Sequence, residues 1–158
     1  MITIIRNYTL KDIKDSMNYL LEKASLDEGV RQLGVSITHN KPDPIAAIYD
    51  WIKENVSYVP DPVRNGDNIE LFTSPVKMVE NYYQQKPLGE DCDGMALLAV
   101  ALCRSIGIKS NVALLDTRGE GFDHAVANVY LDGKYIFVDP SSGYPLGWEI
   151  NYARRLDA

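Results

Sequence analysis

The sequence predicts an α+β fold on three observations. Amphipathic helical spacing comes first along the chain, alternating strand-like runs come later, and Asp132-Gly133 between two such runs is a strong hairpin-turn signal. In order, Leu10, Ile13, Met17, Leu20, Leu21 and Ala24 recur at helical spacing, so residues 9–25 read as a helix capped by Thr9. Residues 26–42 read less clearly, with Gly29, Gly34 and Pro42 as breaks. Asp43-Pro44 is a cap followed by proline at the first helical position, which starts a helix through Ile45, Ile48, Trp51 and Ile52 to about Asn55. Val56–Val59 reads as a short extended piece, and Pro60-Asp61-Pro62 with Asn65-Gly66-Asp67 as a loop. Ser74-Pro75 repeats the cap-and-proline pattern for a helix through Val76, Val79 and Tyr82. Gln84–Asp91 reads as a loop, and an apolar helix then runs from Cys92 to a left-handed stop at Gly107. Asn111–Asp116, Ala125–Leu131 and Lys134–Asp139 read as strands. The two glycines of Thr117–Asp123 predict a mobile loop able to gate whatever lies beside it.

Composition narrows the class. At 158 residues, 46% hydrophobic and 24% charged, the chain fits one domain (1–158) able to bury a core. A formal net charge of −6 without a basic stripe argues against a nucleic-acid partner. No stretch is long and apolar enough for a membrane span, and the first residues lack a charged segment followed by a long apolar run, so a cytoplasmic location is expected. On one helix Cys92 and Cys103 stand about 16 Å apart, too far for a disulfide, which needs Cα atoms within about 7 Å. Both thiols are expected free, with Cys103 a core residue. The same separation stops the two cysteines converging with His39 and His124 on zinc. Gly119-x-Gly121 lacks a third glycine and a nucleotide-fold setting, so neither metal nor cofactor is expected.

The chemistry-bearing residues are Cys92, His124 and Asp139. Cys92 opens a helix, where free N–H groups and the helix dipole favour a thiolate. Glu90, Asp91 and Asp93 oppose this, and a contacting His124 is expected to outweigh them. With a two-residue turn at Asp132-Gly133, Leu131 opposes Lys134 and Asp139 falls opposite Val126. His124 and Asp139 then share a sheet face as diagonal neighbours, and the carboxylate can fix the imidazole tautomer. A nucleophilic thiol, a His and a His-orienting Asp form the inventory for acyl transfer. The backbone N–H of Cys92 would stabilise the oxyanion, and Gln84, Gln85, Tyr82 or Tyr58 could supply a second donor.

The stretch Gly89-Glu90-Asp91-Cys92-Asp93-Gly94-Met95-Ala96, with Leu102–Ile108 after it, resembles the transglutaminase-like core. Asp123–Tyr130 looks like that family's His block, Lys134–Pro140 like its Asp block, and Ile48–Tyr58 like the helix leading into the core. The resemblance covers about residues 43–140, preceded by a helical part over 1–42. It implies a papain-like core in which the nucleophile helix packs on an antiparallel sheet, with Cys92 as nucleophile, His124 as general base and acid, and Asp139 orienting His124. Papain-like enzymes place a Gln several residues before the Cys, which points to Gln85 as the second oxyanion donor. This chain departs from the pattern in the extra residue of Glu90-Asp91. The calcium sites of the large crosslinking relatives are also not matched: Asp61–Asp67 resembles a calcium loop, but Val63 and Phe72 stand where ligands are needed. A protease or amidase acting on a peptide or protein is the first functional reading. A protein-glutamine γ-glutamyltransferase and a non-catalytic binding or structural protein are the alternatives.

Overall fold

In a computed structural model, which describes residues 2–6, 9–60 and 69–158, the chain runs β1(Ile2–Arg6), α1(Leu10–Ser25), α2(Glu28–Thr38), α3(Pro44–Asn55), β2(Val56–Tyr58), β3(Ile69–Thr73), α4(Pro75–Tyr83), β4(Leu88–Glu90), α5(Cys92–Ser105), β5(Ser110–Asp116), β6(His124–Leu131), β7(Lys134–Val138) and β8(Arg154–Asp157). The local signals act as expected. Thr9, Asp43 and Ser74 each accept a hydrogen bond from the backbone N–H three residues on, and proline follows Asp43 and Ser74 at the helix start. Gly107 takes a φ of +84° just beyond α5. The loop read at residues 60–67 and the calcium-like Asp61–Asp67 lie outside the described residues, apart from Pro60.

α5 organises the fold. Every residue from Gly94 to Cys103 is buried, and a helix apolar on all sides must be covered on all sides. Helices α1, α2, α3 and α4 pack around it on one side, and β5 and β6 cover the other. The main sheet is antiparallel in the order β7-β6-β5-β8. Its register pairs Leu131 with Lys134 and Ala127 with Val138, as the Asp132-Gly133 turn requires; both turn residues have positive φ, 49° and 87°. Ala125, Ala127, Val129 and Val138 face α5, while Ala113, Leu115, Val126 and Phe137 form a smaller apolar cluster on the other face.

Four features differ from the sequence reading. Residues 28–38 are helical, capped by Asp27 and burying Val30, Leu33 and Ile37, so Gly29 and Gly34 do not break the chain. At Gly34 a Cβ would come within 2.1 Å of Ser105 Oγ and 3.3 Å of the Leu102 carbonyl oxygen, so this glycine lets α2 approach α5 closely. Within the expected loop before Cys92, β4 pairs in parallel with β2, Val56 opposite Leu88 and Tyr58 opposite Glu90. Strand β1 pairs with β3, and β8 adds an edge to the main sheet through β5. The Thr117–Asp123 loop is tied down. Asp123 accepts from Thr117 N at 2.9 Å, Thr117 Oγ1 at 2.6 Å and Arg118 Nε at 3.1 Å. The fully buried Asp116 carboxylate accepts from Gly119 N at 2.6 Å, Glu120 N at 3.1 Å and, from β8, Arg154 Nε at 3.0 Å. No helix among the described residues is long and apolar enough to cross a membrane.

Candidate active site

The β2–β4 pairing leads the chain into α5, whose first residue is Cys92. Asp91 caps that helix by accepting from Gly94 N at 3.1 Å. At the first helical position the Cys92 N–H has no acceptor within the helix and is available to a ligand. The half-buried thiol lies 3.9 Å from Asp93 Oδ1, and a backbone hydrogen bond from Ala125, next to His124, reaches its sulfur.

These surroundings reverse the expected thiol state. Burial pushes the Cys92 thiol well above its ordinary value, the carboxylates of Asp93, Asp91 and Asp139 push the same way, and the Ala125 hydrogen bond opposes them only in part. The surroundings of the sulfur thus favour the thiol over the thiolate. Cys103 is fully buried, free of a disulfide, and pushed by burial up to about 12. It is the core residue the sequence predicts.

His124 begins β6, and Asp139 follows directly on β7. The hairpin brings their side chains together, with His124 Nε2 2.7 Å from Asp139 Oδ2. The other carboxylate oxygen, Oδ1, accepts from Ser141 Oγ at 2.6 Å and Ser141 N at 3.2 Å. Burial works to raise the Asp139 pKa, but the bonds from His124 and Ser141 more than offset it and hold the group below the usual carboxylate value. With Nε2 committed to Asp139, Nδ1 is the imidazole nitrogen left for other partners.

The expected second oxyanion donors are spread out. Gln85 is exposed and takes a φ of +58° as the left-handed cap of α4; its N–H donates to the Tyr82 carbonyl at 3.0 Å, and the next N–H, of Lys86, to Asn81 at 2.9 Å. Gln84 is exposed beside it, and Tyr82 packs edge-on against Trp51 at 4.9 Å. Tyr58, also exposed, sits opposite Glu90, two residues before Cys92. Sequence reasoning missed Ser141. An aspartate whose side chain accepts from the residue two positions on is a recognisable turn, and Asp139-Pro140-Ser141 carries its residue types.

Comparison with known proteins places the fold. A family model described as the transglutaminase-like superfamily matches residues 31–140, beginning within α2. Two solved structures share the fold. A candidate cysteine protease from Cytophaga hutchinsonii aligns with a TM-score of 0.55 at 19% identity, over 89% of this chain and 49% of that one. A candidate protease from Parabacteroides distasonis aligns with a TM-score of 0.55 at 15% identity, over 82% of this chain and 26% of that one. The chain thus spans about half of the first protein's length and about a quarter of the second's. No curated protein matches the sequence significantly.

Proposed function

From the premise that this chain belongs to the transglutaminase-like superfamily, we propose that it is a cysteine acyl-transfer enzyme acting on amide bonds of a peptide or protein, first of all as a protease or amidase. The observation that carries the reading is the 2.7 Å bond between His124 Nε2 and Asp139 Oδ2, which leaves Nδ1 for a thiol seated against the neighbouring Ala125. In this reading Cys92 is the nucleophile, His124 the general base and acid, and Asp139 the group that holds the imidazole.

Burial that disfavours the thiolate points to the order of events. The Cys92 S–H proton passes to His124 Nδ1 as the sulfur bonds to the substrate carbonyl carbon. Negative charge gathers on the carbonyl oxygen, where the Cys92 N–H and the positive end of α5 stabilise it. When the carbon–nitrogen bond breaks, His124 gives its proton to the departing amine, and a thioester on Cys92 remains. Water then attacks the thioester and passes a proton to His124. The carbon–sulfur bond breaks, and the proton returns to the sulfur. An amine in place of water gives transamidation by the same steps, which is the γ-glutamyltransferase alternative. For the second oxyanion donor, the register of β2 on β4 favours Tyr58 over Gln85, whose backbone serves the cap of α4.

The test is turnover of labelled peptide amides by wild type, Cys92→Ala and Cys103→Ala, with a labelled primary amine present. Loss of turnover in Cys92→Ala alone is expected, and the fate of the amine label separates hydrolysis from transamidation. Equal turnover by wild type and Cys92→Ala removes the enzyme reading and leaves the binding protein. A larger loss in Tyr58→Phe than in Gln85→Ala is expected for the second donor.

A further inference from the structure

A hollow of about 550 Å³ opens beside His124, within the size range of small-molecule clefts. Its lining includes Asp123, Ser142, Tyr144, Trp148 and Glu149 besides His124 itself. The Tyr144 and Trp148 rings stack with centroids 5.4 Å apart and planes within 3°, and both residues stay about half exposed. The segment that carries them is anchored. Tyr49 Oη donates to the Tyr144 carbonyl at 2.6 Å, Tyr144 N to Ser142 Oγ at 3.2 Å, Gly147 N to the Phe137 carbonyl at 3.1 Å and Trp148 N to the Pro145 carbonyl at 3.1 Å. The flat aromatic surface is therefore held in place before any ligand arrives. Two carboxylates stand in its lining. Asp123 carries its charge on one wall, with the Arg118 guanidinium already drawn to it. On the other wall Glu149 is exposed and joins no ion pair among the described residues. Aromatic faces and carboxylates together select a cation.

Chemistry says what reaches this hollow. The imidazole must lie within hydrogen-bond reach of the departing nitrogen to protonate it, so the amine fragment leaves, and any acceptor amine enters, on the His124 side. We propose that the hollow is the amine-side subsite, and that it selects fragments with a positive charge beyond the reacting nitrogen, such as a lysine or arginine side chain just after the cleaved amide. This rests on the acyl-transfer reading of Cys92, and it adds that Trp148 and Glu149 set specificity.

The experiment separates the two claims. Wild type is acylated with 4-nitrophenyl acetate, and the nitrophenolate burst, absent in Cys92→Ala, counts the acyl-enzyme. The acyl-enzyme is then offered agmatine, pentylamine or 5-aminopentanoate, which differ in distal charge. Each acetylated product is quantified by mass spectrometry per acyl-enzyme formed, and each rate is divided by that amine's uncatalysed attack on a free thioester. Agmatine is expected to exceed pentylamine by about tenfold, the size of one good cation–aromatic contact with a carboxylate nearby, and 5-aminopentanoate is expected to come last. Trp148→Ala and Glu149→Gln should each bring the agmatine-to-pentylamine ratio toward one. A normal burst followed by equal capture of the three amines, or by none, overturns the subsite while leaving acyl transfer standing. A missing burst in wild type removes acyl transfer, and the subsite with it.

Discussion

Replacing Asp139 by asparagine should cut turnover sharply while leaving the fold nearly intact, and the reason lies in which atoms can donate. The carboxylate accepts on both oxygens, from His124 on one and from Ser141 N and Oγ on the other. An asparagine amide has one accepting end and one donating end. If its NH2 turned toward Ser141, it would face the Ser141 backbone N–H, which cannot turn to accept, in a buried site, at a cost of about 1–3 kcal/mol. If it turns toward His124, Ser141 keeps its acceptor, and the imidazole adapts by accepting at Nε2 and carrying its proton on Nδ1. The second arrangement wins by that same margin, and it puts the proton on Nδ1, the nitrogen that the acyl-transfer reading needs as its base. A neutral hydrogen bond replaces a charge-assisted one, so stability should fall by only about 1 kcal/mol. Turnover should fall by the general-base contribution, about 10²–10⁴-fold. The assay pairs turnover and thermal unfolding of Asp139→Asn with nitrogen-15 spectra that report which imidazole nitrogen carries the proton. Turnover within about an order of magnitude of wild type, with the proton still on Nε2, would refute the reasoning.

Three further outcomes are expected. Because burial, and after it Asp93, push the Cys92 thiol up, alkylation by iodoacetamide should rise only toward alkaline pH, and Asp93→Asn, which removes a half-exposed and screened like charge, should speed it at a given pH by up to about tenfold; a wild-type profile already flat below pH 8 contradicts this. The Asp139 carboxyl is held below its unfolded value of about 3.9, so its stabilising effect is complete above that value and is lost as pH falls through the lower folded value; the urea midpoint of wild type should drop toward that of Asp139→Asn on acidification, and a constant gap between them counts against the assignment. Gly34→Ala gains helix propensity, about 1 kcal/mol, but forces its Cβ onto Ser105, so a net loss of about 1–2 kcal/mol is expected in thermal unfolding, partly restored by adding Ser105→Ala.

What the sequence made legible is what depends on neighbours along the chain. The caps at Thr9, Asp43 and Ser74, the stop at Gly107 and the turn at Asp132-Gly133 each work through residues a few positions away, and the hairpin register that joins His124 to Asp139 follows from that one turn. Helix α2 was hidden because its glycine is accommodated by a partner seventy residues on. Strands β1, β4 and β8 were hidden because short edge strands are defined by the strand they pair with, and each pairs with a distant segment. The burial that works against a Cys92 thiolate was hidden for a similar reason, since the charges flanking it are visible in sequence but the extent of its burial is not. The anchored aromatic pair lies in a turn-rich stretch whose spacing carries no periodic signal.

The tethered Thr117–Asp123 turn supplies Thr117 and Asp123 to the wall of the hollow beside His124, and those bonds bear on timing as well as shape. Two carboxylates and an arginine from the last strand hold this rim in shape before any ligand arrives. On the acyl-transfer reading, encounter with substrate then depends on diffusion and on the pull of carboxylates on a positive fragment more than on closure of this loop. A cleft of this kind gives up the selectivity that closure around a ligand can add, and discriminates by what already fits.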